Sequence, residues 1–451
     1  MQIIQSADEA VNRRTLPPGS VVALQGSAAT PRDLCRQMAR DLSIRGISLI
    51  SCLPMGDIAE LFSEEACSRI THRVTFNTAL SRAAQNNGWA QYQLMHLSDI
   101  PRQMRDYLKP TAALVSVAGP DNAGNFSLGP MVVEAKAAIA SAKAQGGVVI
   151  AERNCKTPFI FGTTVRREDI DYLLETDYEL PVSAAKTPDD RARRIGEIIT
   201  ALYIRDGCTI QYGIGEVPAA VTDGILRKGV RDLGVHTELY TDAFRVLMER
   251  GIVTNRHTVD GITIASIFQC GDQAGYDWLH FNCSVASRPS DYTNNALTIA
   301  RQPKMVAVNS SMGVDLYGNI WADSVQAPLV YSGVGGQADF LRGARLSAGG
   351  VPIIAIKSTT EKGASKVLKS SPPGITTTAV AADPVVIVTE HGAMDPSGLS
   401  YVERVVAIAQ LAAPEHREEL LRFVFETPAF NRPREALREG CPKGFTPYER
   451  I

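Results

Sequence analysis

The chain alternates short apolar runs, rich in β-branched residues, with longer stretches in which apolar residues recur every three or four positions. Residues 112–117 (AALVSV) predict a buried strand, residues 131–145 a helix, and residues 148–151 the next strand. Gly146 and Gly147 end the predicted helix. A strand, a crossover helix and a second strand imply parallel pairing, so the pattern predicts an α/β fold.

A second α/β half follows a stretch that has few large apolar residues, 177–190, and that contains Pro181 and Pro188. We interpret this stretch as a linker. It divides the 451 residues into predicted domains of residues 1–185 and 186–451, and a chain of this length favours two domains. The second half predicts strands at 208–212, 262–268, 305–308, 352–356 and 385–388, and helices at 189–205, 218–228, 243–250, 401–412 and 415–425.

The composition is that of a globular protein, with 45% apolar and 21% charged residues. A net charge of -2 offers no general attraction for nucleic acid or anionic lipid, so neither is an expected partner. The first residues resemble no signal peptide, and no apolar run reaches the roughly 18 residues of a membrane span. We therefore expect a cytoplasmic protein, and its eight cysteines, none in a CxxC pair, are expected to be buried free thiols.

Three segments carry candidate chemistry, and the first is Gly213–Ala220 (GIGEVPAA), between a predicted strand and a predicted helix. Gly213 and Gly215 allow the backbone to turn sharply and approach a ligand. Pro218 suits the first position of the helix, whose free amides favour an anion such as phosphate. A tight turn without a ligand is the alternative. A dinucleotide-dependent dehydrogenase is disfavoured because Pro218 stands where its fingerprint needs a third glycine.

The second segment, Val235–Asp242 (VHTELYTD), is predicted to form a turn just before a helix. Thr241 or Asp242 is expected to cap that helix. His236 and Glu238 lack a third ligand at the spacing of a metal site, so no metal is predicted. Taken alone, His236 is more often structural than catalytic and Glu238 more often a solvated surface acid.

The third segment, Tyr331–Ala344 (YSGVGGQADFLRGA), has three glycines within four positions. Such a sequence suits a loop whose amides point at a ligand. A flexible linker is the alternative, but Phe340 and Leu341 favour an ordered segment.

Together these segments resemble the acetyl-CoA hydrolase/transferase family, in the branch that contains 4-hydroxybutyrate and butyrate CoA-transferases. The family pattern GGQxDFxxGAxxS is met at every fixed position by Gly335–Ser347, and GxGxxPxA by residues 213–220. The family's catalytic glutamate lies in a segment like HSExxxD, which corresponds here to His236-Thr237-Glu238 with Asp242 following. Gly313, where the family usually has an acid, is a departure that bears on substrate choice.

The resemblance implies two related open α/β domains of the class I CoA-transferase type, with the active site between them. It implies a CoA-transferase in which Glu238 forms a covalent glutamyl-CoA thioester. Gly335 and Gly336 are expected to hold the reacting oxygen, with Asn309 as a side-chain donor. The residues expected to bind CoA are Gly213, Gly215, Pro218, Gln337, Asp339 and Phe340.

The expected substrates are an acyl-CoA and a small carboxylic acid of the 4-hydroxybutyrate, butyrate or itaconate class, with no tightly bound cofactor. A homodimer or higher homo-oligomer is expected. An acyl-CoA hydrolase that uses the same Glu238 stays open as the alternative, since a well-placed His236 would activate water. A non-catalytic CoA or nucleotide sensor is disfavoured because Glu238 is present.

Overall fold

The computed structural model describes residues 1–430 and 441–451, and the first half of the chain forms a large open sheet. Within the described residues, the strands of this half are β1 (Gln2–Ile4), β2 (Val21–Leu24), β3 (Ile47–Cys52), β4 (Ile70–Phe76), β5 (Ala90–Tyr92), β6 (Ala112–Ser116), β7 (Asn125–Ser127), β8 (Val148–Asn154), β9 (Thr164–Arg166) and β10 (Tyr172–Thr176). Eight of them pair in the order β1-β10-β8-β6-β2-β3-β4-β5, and every pairing is parallel. The other two, β7 and β9, form an antiparallel pair.

The second half forms a larger sheet with the order β14-β13-β12-β11-β15-β18-β20-β21-β22. Its strands pair in parallel as far as β20, and the last two pair antiparallel. A small sheet of β17, β16 and β19 lies beside it. The bounds are β11 (Thr209–Tyr212), β12 (Gly234–Tyr240), β13 (Thr263–Phe268), β14 (Val285–Ser287), β15 (Val306–Ser310), β16 (Gly313–Asp315), β17 (Ile320–Trp321), β18 (Val351–Ala355), β19 (Val367–Leu368), β20 (Val386–Thr389), β21 (Gly392–Met394) and β22 (Phe445–Pro447).

Helices connect many of the parallel strands, and α6 (Asp190–Tyr203) packs unusually closely against α7 (Glu216–Lys228). A Cβ atom on Gly196 would lie 2.6 Å from the Cβ of Ala220, and one on Gly224 would lie 2.4 Å from the hydroxyl of Thr200. The described helices are α1 (Arg32–Arg40), α2 (Glu64–Arg69), α3 (Ala79–Asn86), α4 (Ile100–Gln103), α5 (Ala135–Ala144), α6 (Asp190–Tyr203), α7 (Glu216–Lys228), α8 (Asp242–Glu249), α9 (Gln273–Leu279), α10 (Ser290–Thr293), α11 (Ala296–Ala300), α12 (Gln337–Leu346), α13 (Tyr401–Gln410) and α14 (Pro414–Glu426).

In both sheets the chain reverses its direction of travel near the middle. In the second sheet it runs outward from β11 to β14 and then, from β15 to β20, outward on the other side. In the first sheet β2 to β5 lie on one side, and β6, β8 and β10 on the other. Such reversals open a crevice at the carboxyl ends of the strands, where open α/β sheets bind ligands.

The α/β fold expected from the sequence pattern is confirmed, but two elements differ from the prediction. The helix predicted at 131–145 begins only at Ala135, because the preceding residues pair with the other half. Met131 forms a bridge with Ile267, and the Val132 amide donates to the Ser266 carbonyl at 2.9 Å. Most of the turn predicted at residues 235–242 is instead part of strand β12, which lies between β13 and β11 inside the second sheet.

The predicted linker contains no helix or strand between Thr176 and Asp190, which are both described, and Ser183 in it donates to the Cys270 carbonyl at 2.9 Å. The exact boundary of the domains stays a prediction. Burial of the cysteines is confirmed for Cys35, Cys52, Cys208 and Cys270. It is wrong for Cys155, Cys283 and Cys441, which are exposed, and Cys67 is only partly buried. No helix in the described part of the chain is long and apolar enough to cross a membrane.

Candidate active site between the two sheets

A cavity of about 970 Å³ lies between the two halves of the chain. The first half contributes the loops that follow β3 and β4, at residues 53–56 and 76–80. The second half contributes the carboxyl ends of β11, β12, β13, β15 and β18. Both sheets therefore present the strand ends at which their topology predicts a ligand.

The strand order of the second sheet fixes the relative positions of the residues that line the cavity. Gln269 follows β13, Glu238 lies near the end of β12, Gly213 follows β11, Asn309 lies in β15, and Lys357 follows β18. Neighbouring strands are separated by about 4.8 Å. Glu238 is therefore one strand from Gln269, whereas Lys357 lies three strands away on the opposite side, at about 14 Å.

Glu238 is partly buried in the cavity wall and is held by two amide groups. The side-chain amide of Asn294 donates to Glu238 Oε2 at 2.7 Å, and the backbone N–H of Gly336 donates to the same carboxylate. Within the described residues, no lysine, arginine or histidine forms an ion pair with Glu238. Neutral donors thus orient the carboxylate without neutralising it, which suits a nucleophile.

Burial raises the pKa of Glu238 to about 7, and the nearby negative charge of Asp339 adds to the increase, whereas the hydrogen bonds from Asn294 and Gly336 oppose it. Asp339 itself accepts hydrogen bonds from the Ser98 hydroxyl at 2.8 Å and the Ser98 amide at 3.2 Å. Burial also raises the pKa of Asp339 to about 7. Near neutral pH, Glu238 is therefore divided between its acid and carboxylate forms.

Gly336 lies against Glu238 more closely than any larger residue allows. A Cβ atom at this position would be 1.9 Å from Glu238 Oε2 and 2.0 Å from Asn294 Nδ2. The neighbouring Gly335 adopts a left-handed φ of +61° and its carbonyl accepts from the Leu97 amide at 3.1 Å. The two glycines therefore let a backbone amide reach the carboxylate.

The Gly213–Pro218 loop lines the cavity, as Gly213, Gly215 and Pro218 all contribute to its wall. The prediction that Pro218 occupies the first helical position is wrong, because α7 already begins at Glu216. Pro218 still lies in the first turn, where its missing N–H leaves no intrahelical bond unmade. The Glu216 carboxylate bonds to Lys357 at 2.5 Å, and Lys357 also bonds to Asp189 at 2.9 Å.

The other predicted site residues fall into two groups. Asn309 lines the cavity and donates to Gln211 Oε1 at 3.2 Å, and Gln337 lines it while donating to the Ser310 carbonyl at 2.6 Å. Asp339 and Phe340 lie outside the cavity wall. Phe340 is fully buried in an apolar cluster that includes Ile299, Met305, Ala307 and Ala344.

His236 lies beneath the site rather than in it. Its Nε2 bonds to the Thr293 carbonyl at 2.8 Å and its Nδ1 to Gln302 at 3.3 Å, so both ring nitrogens are occupied. Burial lowers the pKa of His236, which favours the neutral ring. The predicted cap also differs: Thr241 precedes α8 but its side chain makes no capping bond, and Asp242 accepts from the Gly271 amide at 2.7 Å.

The sequence reasoning missed several residues that shape the site. Asn294, which follows α10, and Ser98, which precedes α4, are far from Glu238 in sequence. Gln269 and Lys366 line the cavity from loops that carried no motif. The nearby stretch Arg288–Tyr292 (RPSDY) also resembles the family, but it ends two residues before Asn294.

The fold and the site define an α/β enzyme whose candidate nucleophile is a carboxylate, placed between two open sheets. Among residues 1–430 and 441–451, no group of three His, Cys, Asp or Glu side chains is arranged to hold a metal ion.

Comparison with known proteins agrees with this class. Residues 271–424 match the acetyl-CoA hydrolase/transferase C-terminal domain. The chain is 32% identical over 421 residues to the 4-hydroxybutyrate coenzyme A transferase of Clostridium kluyveri, covering 92% of this chain and 96% of that protein. It is 30% identical to the butyryl-CoA:acetate CoA-transferase of Anaerostipes caccae, covering 93% and 95%. The crystal structure of RipA from Yersinia pestis superposes with a TM-score of 0.86 at 28% identity, covering 93% and 96%.

The chain belongs to the acetyl-CoA hydrolase/transferase family. It is an acyl-CoA:carboxylate CoA-transferase.

Gly336→Ala should inactivate the enzyme without unfolding it. The backbone φ of -101° at this position suits alanine, but the methyl group would displace Glu238 from Asn294. A displacement on the order of 1 Å costs about 100-fold, so we expect kcat to fall by about that factor. Gly271→Ala, outside the cavity wall, is the matched control, because its Cβ would approach no protein atom closer than 3.3 Å. A Gly336→Ala enzyme with wild-type kcat would contradict the close contact.

The rate of reaction with acyl-CoA should fall as the pH drops below about 7, because protonated Glu238 is not nucleophilic. The logarithm of kcat/KM should rise with a slope of one below that pH and level off above it. Asn294→Ala removes a bond to the charged form and should move the midpoint to higher pH. Asp339→Asn removes a repelling charge and should move it to lower pH. Shifts in the same direction would refute this electrostatic account.

Proposed function

We propose that the enzyme transfers CoA between an acyl-CoA and a small carboxylic acid of the 4-hydroxybutyrate or butyrate class through a thioester on Glu238. The observation that carries the proposal is the Glu238 carboxylate, held by Asn294 and Gly336 on the wall of the cavity. The substrate class is supported by the two relatives described above, which are named for 4-hydroxybutyrate, butyryl-CoA and acetate.

In the first half-reaction, a Glu238 oxygen attacks the acyl-CoA carbonyl carbon, and the C–S bond breaks. A mixed anhydride forms and CoA leaves as the thiolate. The thiolate then attacks the Glu238 carbonyl carbon, which releases the first carboxylate and leaves Glu238 as a CoA thioester. The carboxylate nucleophile thus splits one difficult transfer into easier steps.

In the second half-reaction, the incoming carboxylate attacks the carbonyl of the Glu238 thioester and expels CoA thiolate. The thiolate attacks the acyl carbon of the new anhydride, which yields the new acyl-CoA and restores the Glu238 carboxylate. When the thiolate or the acid attacks Glu238, negative charge develops on an oxygen of that residue. The Gly336 N–H and the Asn294 amide already point at these oxygens, and each such donor is worth about 100-fold or more. Asn309 is the proposed donor for the oxygen on the substrate side.

The CoA tail is proposed to run from Glu238 across the ends of β11 and β15 toward β18. This path passes Gly213, Gly215 and Asn309, and it ends at Lys357 and Lys366. Glu216 and Asp189 already neutralise Lys357, whereas the described residues give the Lys366 ammonium no ion-pair or hydrogen-bond partner. Burial and the nearby Lys357 lower the pKa of Lys366, so a phosphate there would relieve an unfavourable charge.

A transferase is favoured over the alternative hydrolase by the position of His236. A hydrolase needs a base that activates water near the thioester, and both nitrogens of His236 are bonded beneath the cavity. Tight exclusion of water would also protect the anhydride while a carboxylate enters.

Incubation with acetyl-CoA in the absence of an acceptor acid should add the mass of CoA, less one water, to the peptide that contains Glu238. Glu238→Gln should give neither the adduct nor turnover, because an amide of the same shape cannot act as the nucleophile. Glu249→Gln, at an exposed position in α8, is the matched control and should label fully. Intact-protein and peptide mass spectrometry measure the adduct.

Two outcomes would overturn the proposal. An adduct on Glu238→Gln would place the nucleophile elsewhere. Fast release of free CoA that no added carboxylate accelerates or diverts would identify a hydrolase instead.

Lys366→Met should raise the KM for acyl-CoA with little change in kcat. Loss of one charge-assisted contact costs about 1.5–3 kcal/mol, which corresponds to about 10- to 100-fold in affinity. Lys362→Met removes an equal charge at an exposed position outside the cavity wall and should leave the KM unchanged. Steady-state kinetics at fixed ionic strength distinguish the two, and an unchanged KM in Lys366→Met would exclude this residue from CoA binding.

A further inference from the structure

The part of the cavity beyond Glu238, on the β13 side, has a wall of uncharged side chains. This part is opposite the direction proposed for the CoA tail, so it is where the acyl chain has room. Its wall consists of Leu53, Met55, Phe76, Leu239, Ile267 and Gln269.

The apolar members of this wall are anchored in the core of the first half. Leu53, Phe76 and Leu239 pack against the apolar cluster that contains the buried Ile267. Phe76 also lies beside the catalytic loop, since its ring edge would be 3.1 Å from a Cβ atom on Gly335. An acyl chain attached at Glu238 therefore meets a fixed apolar surface rather than a mobile loop.

Gln269 is the polar member of this wall, and its amide nitrogen is already engaged. Nε2 donates to the Ser27 hydroxyl at 3.0 Å and contacts the Met55 sulfur at 3.3 Å. The described residues supply no donor to its carbonyl oxygen. The amide nitrogen of Gln269 is therefore not free to donate to a carboxylate of the substrate.

The described cavity wall contains three cations, and none of them is buried beside Leu53, Met55 and Ile267. Among the described residues that line it, the positively charged ones are Lys186, Lys357 and Lys366. Lys357 lies three strands from Glu238 on the other side and is paired with Glu216. Lys186 lies on the linker, three residues after Ser183, which donates to the Cys270 carbonyl just beyond β13. Its side chain is exposed, so solvent screens its charge.

We infer that the acid acceptor is a short monocarboxylate with an uncharged chain, and that dicarboxylates, including itaconate, are rejected. This inference rests on the proposed function, because it needs the acid to react at Glu238. A second carboxylate would be buried against Leu53, Met55 and Ile267, and none of the described residues there supplies a buried cation to pair with it. Such burial is strongly unfavourable, and we expect discrimination of at least about 100-fold.

The test compares acids that differ only in the terminal group. With acetyl-CoA as donor, butyrate is paired with succinate, and pentanoate with glutarate, and each new acyl-CoA is measured by liquid chromatography. Each monocarboxylate should exceed its partner in kcat/KM by about 100-fold or more. A dicarboxylate that equals its partner, or no transfer to any of the four acids, would overturn the inference.

Met55→Arg should place a cation at the acyl end and shift the succinate-to-butyrate ratio toward succinate by at least about 10-fold. Met312→Arg adds the same charge on the β15 side of the cavity and should leave this ratio unchanged. An equal shift in both variants, or none in a Met55→Arg enzyme that still forms the adduct, would place the acyl chain elsewhere.

The adduct from acetyl-CoA alone separates the two proposals. If Glu238 is labelled but succinate is preferred, the acyl-pocket inference fails and the thioester mechanism stands. If Glu238 is not labelled in the wild-type enzyme, the proposed function itself fails.

Discussion

The site depends on the close approach of a backbone amide to a carboxylate that no cation neutralises. Gly336 reaches Glu238 only because neither it nor Gly335 carries a side chain. The position of these glycines depends in turn on the first half of the chain, since the Leu97 amide donates to the Gly335 carbonyl and Ser98 holds Asp339 in the following helix. The short segment Leu97-Ser98 therefore couples the two sheets to the geometry of the proposed nucleophile, Glu238.

The same segment also orders the second amide donor. The Ser290 hydroxyl donates to the Leu97 carbonyl at 2.7 Å. The backbone N–H of Asn294 donates to the Ser290 carbonyl at 2.9 Å. Both groups that hold Glu238 are thus connected through the first half. Catalysis by preorganised donors requires such rigidity, because donors that must rearrange during the reaction lose much of their advantage.

Much of the architecture was predictable from sequence because it rests on local patterns. Periodic apolar runs identified most of the parallel strands and the long helices, and glycine-rich segments identified two walls of the site. Tertiary pairing decided what these patterns missed. Residues 131 and 132 pair with β13 instead of starting the helix, and residues 234–240 form an interior strand although they include several polar groups. Asn294, Ser98 and Gln269 could not be predicted, because each acts through a contact with a distant part of the chain.

The absence of a cation near Glu238, within the described residues, links reactivity with selectivity. A cation would stabilise the carboxylate, lower its pKa and weaken it as a nucleophile toward the thioester. Neutral amides orient the oxygens while burial keeps the pKa near neutrality. The same uncharged surroundings continue into Leu53, Phe76 and Ile267, where a second carboxylate of a substrate would find no partner. Lys366, the lysine that we propose binds a phosphate of CoA, lies instead beyond β18, where its charge does not neutralise Glu238. In this proposal, the lysine that binds the CoA tail is therefore separated in space from the carboxylate that reacts.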